Sequence, residues 1–86
     1  MPIISTFFGI VIRVFHNDHN PPHFHAEYGG GKIIIEIKTG KILFGKVPPR
    51  ALKLIQEWRR VNVAAIERAW KQALQHQEPN KVTPLE

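Results

Sequence analysis

Apolar positions divide the chain into two halves by their spacing. Through the first half they run in short stretches or alternate with polar residues, the period of extended strands; beyond residue 48 they recur every three or four residues, the period of a helix. Phe7 to Phe15 reads Phe-Phe-Gly-Ile-Val-Ile-Arg-Val-Phe, β-branched and aromatic and apolar on both alternating faces except at Arg13, which predicts one central strand. Asn17, Asp18, Asn20 and Pro21-Pro22 end it in a loop, because Asx side chains favour turns and proline has no N–H to give to a ladder. From His23 the alternation is strict, with Phe24, Ala26 and Tyr28 on one side and His23, His25 and Glu27 on the other. Gly29-Gly30-Gly31 is a permissive turn into a third strand, Lys32 to Lys38, whose Ile33, Ile35 and Ile37 share the core face. Thr39-Gly40 turns again into a short strand from Lys41 to Phe44.

Pro48-Pro49 supplies a helix start, followed by Ala51, Leu52, Ile55 and Trp58 at helical spacing. Helix propensity weakens at Val61-Asn62-Val63, where Asn62 is a plausible N-cap for a second helix with Ile66, Ala69, Trp70, Ala73 and Leu74 on its apolar face and a Glu67–Lys71 pair on its polar one. One long helix through Asn62 is the alternative, but a single long helix could not fold both tryptophans back onto a small sheet. From Glu78, with Pro79 and Pro84, the tail should be irregular or an edge strand. The expected fold is a single α+β domain, residues 1–86: a four-stranded antiparallel meander followed by a helical hairpin packed on one face, with Phe24, Tyr28, Ile33, Ile35, Trp58 and Trp70 between the layers.

A chain of 86 residues buries only about 60 to 65 per cent of the surface its unfolded form exposes, so marginal stability or a homodimer is the default expectation. The apolar run from Ile3 to Phe15 falls short of the roughly 20 residues of a membrane helix, and Met1-Pro2-Ile3-Ile4 lacks the basic start of a secretory signal. With no cysteine, disulfides and thiolate metal sites are excluded, and a cytoplasmic location with no membrane association is expected. The net charge of +5 and pI near 10 favour acidic partners, RNA or DNA among them. The basic residues are dispersed, from Lys32, Lys38, Lys41 and Lys46 to Arg50, Lys53, Arg59, Arg60, Arg68 and Lys71, as on an ordinary solvated surface.

The chemistry concentrates in one place. Four of the five histidines, His16, His19, His23 and His25, fall within ten consecutive residues beside Asp18 and Glu27. Side chains two apart on a strand project from one face about 7 Å apart, so His23, His25 and Glu27 form a polar row. In one reading His23 and His25 bind a divalent transition metal, with His19, Glu27 or His16 completing the set. In a second, metal-free reading the two imidazoles act as general base and general acid on a phosphodiester while Arg13 or a lysine stabilises the transition-state charge, which suffices for RNA cleavage through the 2′-hydroxyl. In the plain structural reading His16 and His19 are loop residues, His23 and His25 face solvent or donate to backbone carbonyls and to the Asp18 carboxylate, and Asp18 forms an Asx turn. Trp58 and Trp70 belong to the core, and Gly29-Gly30-Gly31 precedes no helix that would make it a phosphate cradle.

Three segments together, Phe7-Phe8-Gly9-Ile10-Val11-Ile12-Arg13, the run from Asn17-Asp18-His19-Asn20-Pro21-Pro22 through His23-Phe24-His25-Ala26-Glu27-Tyr28, and Arg50-Ala51-Leu52 with Glu57-Trp58, resemble DUF4160, a prokaryotic family known only as a domain of unknown function. The likeness spans nearly the whole chain, and the run from Asn17 to Ala26 is its most specific part. The resemblance implies that His19, His23 and His25 belong together, and carries no established activity. Members are often encoded beside another small uncharacterised protein, in the manner of a toxin and antitoxin pair. Where members commonly have a histidine this chain has Asn62, and where they have an acidic turn it has Lys38-Thr39-Gly40-Lys41. The expected role is therefore a small cytoplasmic component of a toxin–antitoxin-like pair. It would bind the small protein of the neighbouring gene, and RNA or DNA, through the histidine-rich surface. A small histidine-dependent or metal-dependent ribonuclease is the alternative.

Overall fold

Phe8 and Gly9 both take left-handed backbone, with φ of 50° and 79°, and this reverses the chain inside the stretch expected to be one strand. Positive φ at both central residues is the signature of the tight two-residue hairpin whose twist matches that of its strands. The computed structural model describes residues 2–86, and in it the apolar run is two strands, β1 (Ile3–Phe7) and β2 (Ile10–Arg13). The rest of the meander follows as β3 (His23–Tyr28), β4 (Gly31–Glu36) and β5 (Ile42–Lys46). All five pair antiparallel in chain order, so the four-strand expectation is corrected to five. The meander and its other turns are as the pattern predicts.

A single helix, α1 (Pro49–Leu74), replaces the expected helical hairpin. The weak point at Asn62 is real: its φ of −127° and ψ of 18° are non-helical, and its side-chain Nδ2 donates to the Trp58 carbonyl oxygen at 2.9 Å. Asparagine competes locally for backbone partners, which here bends the helix without reversing it. Straight, 26 residues would run about 39 Å, longer than the domain's longest axis of 33 Å. The bend is what allows Trp58 and Trp70, twelve residues apart, both to be buried. Glu67 pairs with Lys38 of the β4–β5 turn at 3.9 Å, across the layers and not along its own helix.

The helix covers one face of the sheet. Ile12, Phe24, Ala26, Ile33 and Ile35 meet Ile55, Trp58 and Ile66 there, all essentially without exposure, while Tyr28 is only partly buried. Arg59 is buried too, its guanidinium donating to the Ile37 and Lys38 carbonyls and to Gln56 Oε1, so an ion from the helix replaces water at the turn after β4. The tail is irregular but ordered by specific bonds. Val82 N–H donates to the Ile4 carbonyl at 2.7 Å, Lys81 Nζ to the Ile3 carbonyl at 2.6 Å, and Trp58 Nε1–H to the Thr83 carbonyl at 2.9 Å. One edge of the sheet, β1, is thereby covered.

The other edge, β5, is exposed along its length. It carries a bulge at Leu43, between Ile34 opposite Phe44 and Ile35 opposite Ile42, and Gly45 takes φ of 81°. A Cβ at Gly45 would overlap the Lys32 carbonyl oxygen. Gly45→Ala is therefore expected to lower stability by about 1–3 kcal/mol, the cost of a side chain in a glycine-only backbone region, measured by urea denaturation; a variant as stable as wild type would show that β5 is not held in this twist.

Candidate functional site

The site forms where the loop between β2 and β3 folds back on the start of β3. Two backbone-directed bonds hold the loop: Ile37 N–H donates to the Pro22 carbonyl at 3.1 Å, and His23 Nδ1–H donates to the Pro21 carbonyl at 2.8 Å. The Asn20–Pro21 peptide bond is cis. This arrangement carries Asp18 onto the two strand histidines. Its Oδ2 lies 3.2 Å from His23 Nε2 and 3.0 Å from His25 Nε2. The three donor atoms lie within 4.8 Å of one another.

The surroundings are aromatic. The His23 ring packs 5.0 Å from Trp70 and 5.2 Å from His25, and Phe15 meets the His25 ring edge-on at 4.4 Å. His23 is buried and His25 and Asp18 are half-buried, so the histidine row, although it shares the face away from most of the core, is shielded from solvent where it begins. At the start of β3 it turns into the gap between the loop and the C-terminal half of α1.

The hydrogen bonds define the charge problem at the centre. A carbonyl oxygen only accepts, so His23 Nδ1 must carry a proton, and neutral His23 then points an Nε2 lone pair at a carboxylate oxygen. His25 can donate its Nε2–H to the same oxygen. Burial lowers the pKa of His25 below its ordinary 6.5, with its hydrogen bond to the Asp18 carboxylate pulling the other way. Lowered affinity for a proton in the folded state makes the contribution of His25 to stability complete above about pH 6.5, and it is lost as pH falls from there through the depressed folded value. The thermal midpoint of the metal-free protein is expected to drop through that window and to drop less in His25→Gln, by circular dichroism melts between about pH 8 and pH 5; identical pH profiles for the two would remove the effect.

Of the residues singled out by the sequence, His23 and His25 come together. Glu27 faces the same side two residues further along β3 and binds Arg13 instead, Oε2 to Nε at 3.2 Å. Arg13 stands directly opposite His25 on β2, with its guanidinium engaged by that carboxylate. His19 is exposed in the loop and lies outside the donor cluster, and His16 stacks with His76 near the end of α1 at 5.2 Å. The metal-ligand set expected as His19, His23, His25 and Glu27 is thus met in His23 and His25 only, among the described residues, and Asp18 supplies the third donor. The plain structural reading had Asp18 both as a turn former and as the carboxylate that the two histidines meet, and the second role is the one found, across the five and seven residues of the loop that brings it back; as a metal donor it was not singled out.

Ligand atoms about 2.0–2.2 Å from a tetrahedral zinc stand roughly 3.3–3.5 Å from one another. The two Asp18–histidine separations, 3.0 and 3.2 Å, lie within a few tenths of that spacing. Metal-binding histidines commonly donate their second ring nitrogen to a backbone carbonyl, which turns the other nitrogen toward the ion; His23 is arranged in that way. Two imidazoles and one carboxylate suit zinc, or iron and manganese in their divalent states, with coordination positions left for water or substrate.

No helix of the described residues is long and apolar enough to cross a membrane. No curated protein and no solved structure matches the chain. The family model for a domain of unknown function, DUF4160, matches residues 9–71, which take in β2 to β5, the loop with Asp18, both cluster histidines and most of the helix, and the chain belongs to that family.

Proposed function

We propose that the protein is a small metal-dependent phosphodiesterase acting on RNA, with Asp18, His23 and His25 as the metal ligands. One observation carries this reading: two imidazole nitrogens converge on a single carboxylate oxygen while the Pro21 carbonyl locks His23 in the tautomer that leaves its Nε2 free. Such an arrangement of lone pairs is eased by a cation. A bound divalent ion would supply Lewis-acid polarisation of a phosphoryl oxygen and a water of lowered pKa. Arg13, beside His25, is placed to exchange its Glu27 partner for a phosphate, and the +5 charge draws polyanions toward the domain. In the metal-free version of the same reading His23 and His25 act as the acid and base themselves.

End-labelled RNA incubated with protein purified without an affinity tag separates these. Cleavage restored to chelated enzyme by zinc or manganese, and lost in His23→Ala, is the expected result. Cleavage that persists in chelator transfers the chemistry to the imidazoles alone. RNA left intact under every metal condition, or cut equally by His23→Ala, would end the catalytic reading.

The open edge of the sheet favours a second role, as the partner-binding member of a toxin–antitoxin-like pair. Ile42 and Leu43 are 44% and 37% exposed on β5, whereas the tail closes the opposite edge. A sheet edge that is apolar but bulged and flanked by lysines resists pairing with copies of itself and accepts a matched strand from another protein. Co-expression with the product of the adjacent gene should yield a complex that Leu43→Pro abolishes; recovery of the two proteins apart would count against it.

A further inference from the structure

The helix covers one face of the sheet, and among the described residues no helix or strand lies on the other. Strand register places two rows of side chains across that open face. One row is Arg13, His25, Ile34 and Phe44; the other is Val11, Glu27, Lys32 and Lys46. Phe44 is 71% exposed although it belongs to a strand, and Phe15 stands edge-on to His25 at the far end of the same face. Of the four charges on these rows three are basic, and the single acid, Glu27, is paired with Arg13. Phe44 thus offers an exposed ring at one end of a row that runs through Ile34 to His25, with Lys32 and Lys46 on the row beside it, and the row reaches the Asp18–His23–His25 cluster.

We infer that this open face binds a single-stranded nucleic acid and leads it to the histidine–aspartate cluster, an inference that rests on the phosphodiesterase reading and names the form of its substrate. Unpaired bases stack on exposed aromatic rings whatever their sequence, while lysine and arginine beside the rings neutralise the phosphates. An antiparallel sheet with aromatics on its uncovered face is a recurrent way of splaying bases of single-stranded RNA. Adjacent strands lie about 4.8 Å apart, so Phe44 on β5 stands roughly 10 Å from His25 on β3. A strand stacked on Phe44 and directed toward His25 crosses Ile34, with Lys32 on the adjacent row in reach of its phosphates. A duplex, with its bases already stacked, gains nothing from Phe44.

Fluorescence anisotropy tests this with a short labelled single-stranded RNA, DNA of the same sequence and the RNA annealed to its complement, each in chelator so that no cleavage intervenes, at two salt concentrations. Binding to the single strands and not to the duplex is expected. Phe44→Ala should weaken it about tenfold or more, and Lys32→Gln should flatten the log–log salt dependence by about 0.7. Val61→Ser, at an exposed helix position remote from the face, should bind as wild type. Circular dichroism and zinc affinity of Phe44→Ala should match wild type, which separates a lost platform from a lost fold. Preference for RNA over DNA identifies the natural strand, and equal binding assigns the face to both. No binding by wild type, stronger binding to the duplex, or an unchanged Phe44→Ala would overturn the inference. So would a dimer in sedimentation that Phe44→Ala dissociates, since the ring would then be covered by a second copy. Because binding is read without metal, failure of cleavage with intact single-strand binding refutes only the catalytic reading, and intact cleavage with no dependence on Phe44 refutes only this one.

Discussion

Trp58→Ala is expected to cost about 3–5 kcal/mol, the range for truncating a large aromatic in a core that cannot collapse around the void. Trp58 has no exposed surface and lies between Phe7 of β1 and Phe24 of β3, at ring separations of 5.5 and 5.4 Å. It is also the point at which the helix holds the tail, through its Nε1–H bond to the Thr83 carbonyl. A domain of this length has a total stability of roughly 4–13 kcal/mol, so the substitution removes much of it and leaves the variant largely unfolded or melting tens of degrees lower. Trp58→Phe separates the two roles. It keeps most of the apolar volume and loses the tether, for an expected loss of about 1–2 kcal/mol accompanied by faster proteolysis after residue 78. Thermal and urea melts of both variants measure this; a loss below 1 kcal/mol in Trp58→Ala would mean that the tryptophan does not occupy the centre of the core.

The same residue illustrates how far the pattern in the chain reached. Helical spacing alone placed Trp58 and Trp70 in the core, and both are there. The same spacing, read with weak helix formers around Asn62, led to a hairpin, on the ground that a single long helix could not bury both, which the structure overturns. Asn62 resolves the conflict by bending, through a side-chain bond to Trp58 whose formation depends on packing that propensity does not contain. The first strand was misread for the opposite reason. Phe7 to Phe15 is apolar on both faces, so no alternation marked the reversal at Phe8-Gly9, and only the isolated glycine within an apolar run signalled it. At the site, period-two spacing was enough to join His23 and His25. It could not say that His23 bends toward Trp70, nor that Glu27 would answer Arg13, because both depend on what lies across the sheet. The plain structural reading did join Asp18 and the two histidines, but nothing in the spacing weighed that contact above a turn role, because it rests on loop closure that Pro21, Pro22 and Ile37 make through backbone atoms.

Asp18→Asn is expected to abolish the response to transition metals while leaving a folded protein. If the cluster binds zinc or manganese, ligand present at about 100 times its dissociation constant adds about 2.7 kcal/mol to the stability of wild type, a rise in melting temperature of roughly 10–20 °C for a domain of this size. Asparagine preserves the shape of Asp18 but removes the negative charge that balances the ion, and its amide nitrogen is no ligand, so the rise should shrink to a few degrees or vanish. His23→Gln should behave alike, because it removes the nitrogen that the Pro21 carbonyl turns toward Asp18. The contrast lies with His19→Ala and Glu27→Gln. Both residues are attractive ligands by spacing, yet one is exposed in the loop and the other is bound to Arg13, so both variants should keep the full metal response. Titration calorimetry on the four variants and wild type reads the affinities directly. Loss of binding in His19→Ala, or full binding in Asp18→Asn, would assign the ion to a different set of side chains, and a wild type that takes up no zinc, manganese or iron would leave Asp18 as the hydrogen-bonding partner that ties the loop to His23 and His25.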